Sequence, residues 1–135
     1  MTDHKAKLVL PYFTEKVPAG FPSPAQDYSE QHLDLNDYLV AHPDSTFLVR
    51  ATGESMMGAG IFNNDLLIVD RAIQAKPGDI VVANYLNELL VKRLIKLDCK
   101  LFLKSENENY PLIEVKENDQ LVVFGVVSFC IHKPG

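Results

Sequence analysis

The chain has 135 residues, 47% of them hydrophobic and 23% charged, with a formal net charge of −5 from 13 basic and 18 acidic residues. That length suits one domain with a real core. The mild acidity excludes the basic face through which a protein grips DNA by itself, so protein partners and no direct specific DNA binding are expected.

Two cysteines, Cys99 and Cys130, make neither a disulfide framework nor a paired metal motif; both are expected as small, reduced core residues. The histidines (His4, His32, His42 and His132) show no ligand spacing, so no metal and no cofactor is implied. The N-terminus carries Asp3, His4, Lys5 and Lys7 rather than the apolar core, roughly 7–15 residues long, of a secretory signal. No run approaches the ~20 apolar residues of a membrane-spanning helix. A soluble, cytoplasmic chain without a membrane partner is expected.

Pro11, Pro18, Pro22 and Pro24 fall before Ser29, with Gly20 and many polar residues between them. Proline removes a backbone donor and restricts the residue before it, so this stretch predicts an extended arm with apolar anchors at Leu8-Val9-Leu10 and Tyr12-Phe13. Leu33, Leu35, Tyr38 and Leu39 predict a short helix, stopped near His42-Pro43. Strands are predicted at Phe47–Ala51, Leu66–Val69, Ile80–Leu86, Leu89–Ile95, Leu101–Leu103 and Ile113–Val115. Pro77-Gly78-Asp79 and Asn87-Glu88 supply turns, the second within a hairpin. Leu121–Val127 is a near-continuous apolar run expected in the core. The fold class is therefore mainly β, a compact antiparallel domain over residues 33–135 preceded by a flexible arm over residues 1–32.

Three features carry chemistry. Ser55 lies in Gly53-Glu54-Ser55-Met56-Met57, and a serine hydroxyl is a poor nucleophile until a base takes its proton. No histidine is well placed, so the candidate base is a lysine, which must be desolvated enough to populate its neutral form. Lys92, in Leu89-Leu90-Val91-Lys92-Arg93-Leu94-Ile95, has the most apolar lysine context in the chain. Strand alternation places Leu90 and Leu94 on its face, with Val91 and Arg93 on the other. Ala19-Gly20 sits in the proline-extended Val17-Pro18-Ala19-Gly20-Phe21-Pro22, where a small side chain and a glycine let the backbone enter a cleft. Each has a plainer reading: Ser55 as the cap of a helix starting at Met56, Lys92 as an edge-strand charge, and Ala19-Gly20 as a kink.

Together the residues resemble the UmuD-type branch of the LexA-like Ser-Lys autoproteases. The resemblance runs through Ala19-Gly20-Phe21-Pro22-Ser23-Pro24-Ala25, Asp27-Tyr28, Asp34-Leu35-Asn36 and His42-Pro43. It continues in Gly53-Glu54-Ser55-Met56, Asp65–Asp70, Gly78-Asp79-Ile80-Val81, Val91–Leu94 and Val123–Val127. It implies that Ser55 is the nucleophile, Lys92 the general base and Ala19-Gly20 the cleaved bond, with the backbone N–H groups of Ser55 and Glu54 forming the oxyanion hole. It further implies a LexA/UmuD-like peptidase fold, a homodimer, cleavage stimulated by a RecA–single-stranded-DNA filament acting as coprotease, and service to a UmuC-like Y-family polymerase in SOS translesion synthesis. The chain departs from the family pattern at Gly58, where an acidic residue is common, and at Glu54; both bear on loop geometry.

Three other readings compete. A LexA-type repressor places a helix-turn-helix before the cleaved bond, for which the 19 residues preceding Gly20 are too few. A signal-peptidase-like enzyme acting in trans needs a membrane anchor. An interaction module would leave the Ser-Lys pair unused.

Overall fold

Short β-branched and leucine-rich runs separated by tight turns build a sheet of seven strands, in a computed structural model that describes residues 7–20 and 30–135. The chain divides into two compact units, Met1–Ala41 and His42–Gly135.

In the first unit, β1 (Val9–Phe13) pairs antiparallel with β2 (Glu30–Asp34), from Val9 opposite Asp34 to Phe13 opposite Glu30. The stretch predicted as an extended arm is thus partly a two-stranded ribbon. Its apolar residues, Leu8, Val9, Leu10, Tyr12 and Phe13, are all exposed. Helix α1 spans only Leu35–Leu39, because the Asp34 carboxylate caps it by accepting from the N–H groups of Asn36 and Asp37. Leu33, predicted within the helix, belongs instead to β2. Residues 21–29, with Phe21, Pro22, Pro24, Asp27 and Tyr28, lie outside the described residues.

The second unit contains β3 (Thr46–Arg50), β4 (Leu66–Asp70), β5 (Ile80–Tyr85), β6 (Glu88–Leu97), β7 (Lys100–Lys104), β8 (Ile113–Val115) and β9 (Leu121–Ile131). Their order in the sheet is β3-β4-β9-β5-β6-β7-β8, with every neighbouring pair antiparallel. The fold is therefore the mainly β, antiparallel one expected. Strand β9 is longer than predicted and enters between β4 and β5, shifting register opposite Ile68/Val69 and again opposite Val82/Ala83. These bulges bend the strand, and Gly125 lies between them. A Cβ at Gly125 would stand 2.8 Å from Val69 Cγ1 and 3.0 Å from the Asp70 carbonyl oxygen, so only glycine allows this approach of β9 to β4. The run Leu121–Val127 is not wholly core. Val122 and Phe124 are exposed on the open face, and the extra residue at Phe124 breaks the alternation, so that Val126 is buried on the covered face with Val81 and Ala83.

The core has three clusters. Ala51, Met56, Ile61, Leu67, Val69 and Val82 form the one that supports the site described below. Val81, Ala83 and Val126 form a second, and Tyr85, Leu94 and Leu103 a third.

Hairpin β5–β6 turns through Leu86-Asn87 and hairpin β6–β7 through Asp98-Cys99; all four residues have positive φ, between 49° and 65°. Two-residue turns of this hand match strand twist, and they favour Asn-Gly or Asp-Gly. Cys99 is therefore exposed in a turn rather than in the core, a correction to the expectation from sequence. Cys130 is half-buried on β9, and its Sγ donates to Asp65 Oδ2 at 3.1 Å. Burial, then this carboxylate, pushes its thiol up to about 12, leaving it unreactive. Replacing Cys99 with glycine should relieve the left-handed strain and raise stability by about 0.5–1 kcal/mol. The check is a higher urea midpoint at unchanged slope.

Candidate active site

Ser55 sits in the connection between β3 and β4, in a segment shaped by one glycine and one methionine. Gly53 has φ +88°, a left-handed turn that glycine adopts without strain, and its N–H donates to Asn63 Oδ1 at 2.9 Å. Met56 is buried in the core, which anchors the chain just after the serine, while Met57 remains exposed. The 3-10 turn that follows spans Met57–Ala59 with Met56 in the cap position, and no side chain caps it. The capping role considered for Ser55 is thus absent. Its Oγ has no hydrogen-bond partner among the described residues.

Lys92 lies near the middle of β6, which pairs with β5 on one side and β7 on the other, Lys92 itself standing opposite Val81. It is not an edge-strand charge. Ser55 and Lys92 line one cleft of about 280 Å³ with Val49, Gly53, Ile61 and Leu90 among its walls. Lys92 Nζ donates to Ser105 Oγ at 2.7 Å and lies 5.4 Å from the centre of the Tyr110 ring. No carboxylate among the described residues pairs with it. Partial burial without a counter-ion disfavours the ammonium and holds the Lys92 amine below the ordinary lysine range.

The short loop after β7 holds both parts of the cleft together. The Glu106 N–H donates to the Ser55 carbonyl oxygen at 2.8 Å, and Asn107 Nδ2 donates to the Glu54 carbonyl oxygen at 2.9 Å. The Gly58 N–H in turn donates to the Glu106 carbonyl oxygen at 2.7 Å. A Cβ at Gly58 would stand 2.5 Å from that oxygen, so the departure noted at Gly58 reflects contact with this loop. Arg93, on the other face of β6, fixes the same loop: its Nε donates to Glu106 Oε1 at 2.5 Å and its Nη1 to the Gly78 carbonyl oxygen at 2.6 Å. The backbone N–H groups of Glu54 and Ser55 donate no hydrogen bond among the described residues. Ser105, Glu106 and Asn107 were missed by the sequence reading. Only the pairing of β6 with β7 brings them to Ser55 and Lys92, and nothing in their local composition announces it.

Ala19 and Gly20 belong to the first unit, where both are exposed in a bend. A Cβ at Gly20 would meet nothing within 4 Å, so glycine there is not required by the packing of the arm.

Sheet and cleft together place a serine and a half-buried lysine in one groove of an antiparallel β domain. The chain belongs to the peptidase S24-like family, whose pattern matches residues 11–128. It is 48% identical over 123 residues to protein SamA of Salmonella typhimurium, covering 91% of this chain and 85% of SamA. It is 46% identical over 125 residues to protein ImpA of Escherichia coli, covering 93% and 85%. A LexA repressor of Shewanella woodyi is 38% identical over 112 residues, covering 82% of this chain and 54% of the repressor. The resemblance to UmuD-like SOS mutagenesis proteins is thereby borne out, and with it a role in SOS mutagenesis and serine peptidase activity. Among the described residues, no helix is long and apolar enough to cross a membrane.

Proposed function

We propose that this chain is a self-cleaving serine peptidase whose substrate is its own Ala19-Gly20 bond, with Ser55 as nucleophile and Lys92 as general base. The observation that carries this reading is the shared cleft, which is lined by both Ser55, whose hydroxyl is unpartnered among the described residues, and the partly desolvated Lys92.

Neutral Lys92 takes the Ser55 proton as Oγ attacks the Ala19 carbonyl carbon. The resulting oxyanion is held by the N–H groups of Ser55 and Glu54, both unspent within the described residues. Collapse of the tetrahedral intermediate breaks the Ala19-Gly20 bond. The proton on Lys92 passes to the leaving amine of Gly20. Water, activated by the same lysine, then hydrolyses the acyl-enzyme, releasing the Ala19 carboxylate and restoring Ser55. The apolar walls beside Gly53 suit a residue as small as Ala19, and Gly20 lets the backbone approach closely.

In this reading residues 1–32 are the substrate arm and residues 33–135 the catalytic domain of a cytoplasmic homodimer. A RecA–single-stranded-DNA filament stimulates cleavage, and the processed dimer serves a UmuC-like Y-family polymerase in translesion synthesis. Intact-mass analysis after incubation with activated RecA filament tests the reaction. The expected products are a peptide ending at Ala19 and a chain beginning at Gly20. An uncut chain, or a different new N-terminus, would overturn the assignment.

A further inference from the structure

A lysine that acts as a base must aim its lone pair as well as lose its proton. The Lys92 side chain is long and flexible, and the cleft offers it no carboxylate to hold its end in place. Of the groups around it, Glu106 is engaged by Arg93 and Glu54 meets the loop only through its backbone carbonyl. Arg50, the other charged residue lining the cleft, donates to the Asn64 carbonyl oxygen, and Lys104 on β7 is exposed. Tyr110 presents its ring face. Among the described residues, the side-chain atom that hydrogen-bonds Nζ is Ser105 Oγ, at 2.7 Å, on a residue only 6% exposed.

We propose that Ser105 is the positioning residue for the general base, its hydroxyl accepting one N–H of Lys92 so that the amine is presented to Ser55. This rests on the Ser55–Lys92 reading above and adds to it a third residue, carried by the loop that follows β7. The location suits the task. Ser105 is buried, and its neighbours Glu106 and Asn107 bond the carbonyl oxygens of Ser55 and Glu54. A single three-residue segment therefore sets the nucleophile loop and the lysine relative to each other. Holding reacting groups in register is worth large factors in rate, and misplacement by about 1 Å can cost about 100-fold.

Two effects of the hydroxyl can be separated. As an acceptor it favours the ammonium, so its loss should make Lys92 easier to deprotonate. As a positioner it raises the rate of the deprotonated enzyme.

The experiment follows self-cleavage of the full chain against pH, without RecA. Ser105→Ala should lower the high-pH plateau about tenfold or more while moving the midpoint to lower pH by roughly half a unit or more. Ser105→Thr, which keeps the hydroxyl, should restore both. Direct titration of Lys92 by NMR in a Ser55→Ala background should show the same downward movement when Ser105→Ala is added. A wild-type plateau and midpoint in Ser105→Ala would overturn the proposal. A midpoint rising towards that of a solvated lysine would also do so, since it signals a cleft merely opened to water. If Ser105→Ala loses its cooperative urea transition, Ser105→Cys, of similar shape but a weak acceptor, replaces it under the same criteria. Ser55→Ala and Lys92→Ala run alongside: cleavage by either removes the dyad reading itself, whereas two dead controls with an unaffected Ser105→Ala remove only the role of Ser105.

Discussion

Ser55→Ala is expected to abolish processing at Ala19-Gly20, lowering the rate by at least about 1,000-fold, while leaving the fold unchanged. The two halves of this expectation have separate causes. Without Oγ no acyl-enzyme can form, and the remaining oxyanion donors act on nothing. The fold survives because the hydroxyl makes no hydrogen bond among the described residues, while the loop is held by the buried Met56 and by backbone bonds to Glu106 and Asn107. Cleavage is read by intact mass and the fold by urea unfolding. An uncut variant with an unchanged midpoint separates a missing nucleophile from a damaged cleft. Processing at the wild-type rate would move the nucleophile elsewhere.

The second large effect belongs to Lys92. Burial lowers its proton affinity, so the neutral amine becomes populated at lower pH than for a solvated lysine. Below its folded-state pKa the group is an ammonium and cannot accept the Ser55 proton. The self-cleavage rate should therefore climb with rising pH, close to tenfold per unit while the ammonium predominates, and level off once the amine is neutral. A rate that is flat or falling from pH 7 to about 10 would count against a lysine base. Lys92→Met should remove the activity and the climb together. Linkage gives a companion observation. Between the depressed folded pKa and the unfolded value near 10.4, the unfolded chain binds more protons, so the native state gains stability as pH rises. Wild type should thus gain on Lys92→Met through that alkaline window, as urea unfolding of both chains across pH would show.

Much of the sheet was legible because alternation and turn residues act locally. Phe47–Ala51, Leu66–Val69, Ile80–Leu86 and Ile113–Val115 each coincide with an observed strand to within about a residue or two. What escaped was decided by pairing partners. Nothing local tells Leu121–Val127 that it will enter between β4 and β5, bulge twice and leave one face in water. The same blindness made Lys92 readable as an edge charge, although β7 covers that edge. Cys99 was misplaced because cysteine is usually buried, whereas here hairpin geometry sets it in a left-handed turn position.

The sequence by itself determined the chemistry available: a serine on a glycine turn, one lysine in apolar company, a small-residue bond in a proline-rich arm, and a pattern belonging to a peptidase family. These are properties of residue type and short spacing, which the chain carries whether folded or not. The tertiary structure alone decided that Ser55 and Lys92 share a cleft and that the lysine has no carboxylate partner among the described residues. It also decided that Ser105, 13 residues beyond Lys92, holds the lysine's amine. Desolvation and hydrogen-bond geometry depend on which strands become neighbours, and only the folded sheet makes β6 and β7 neighbours.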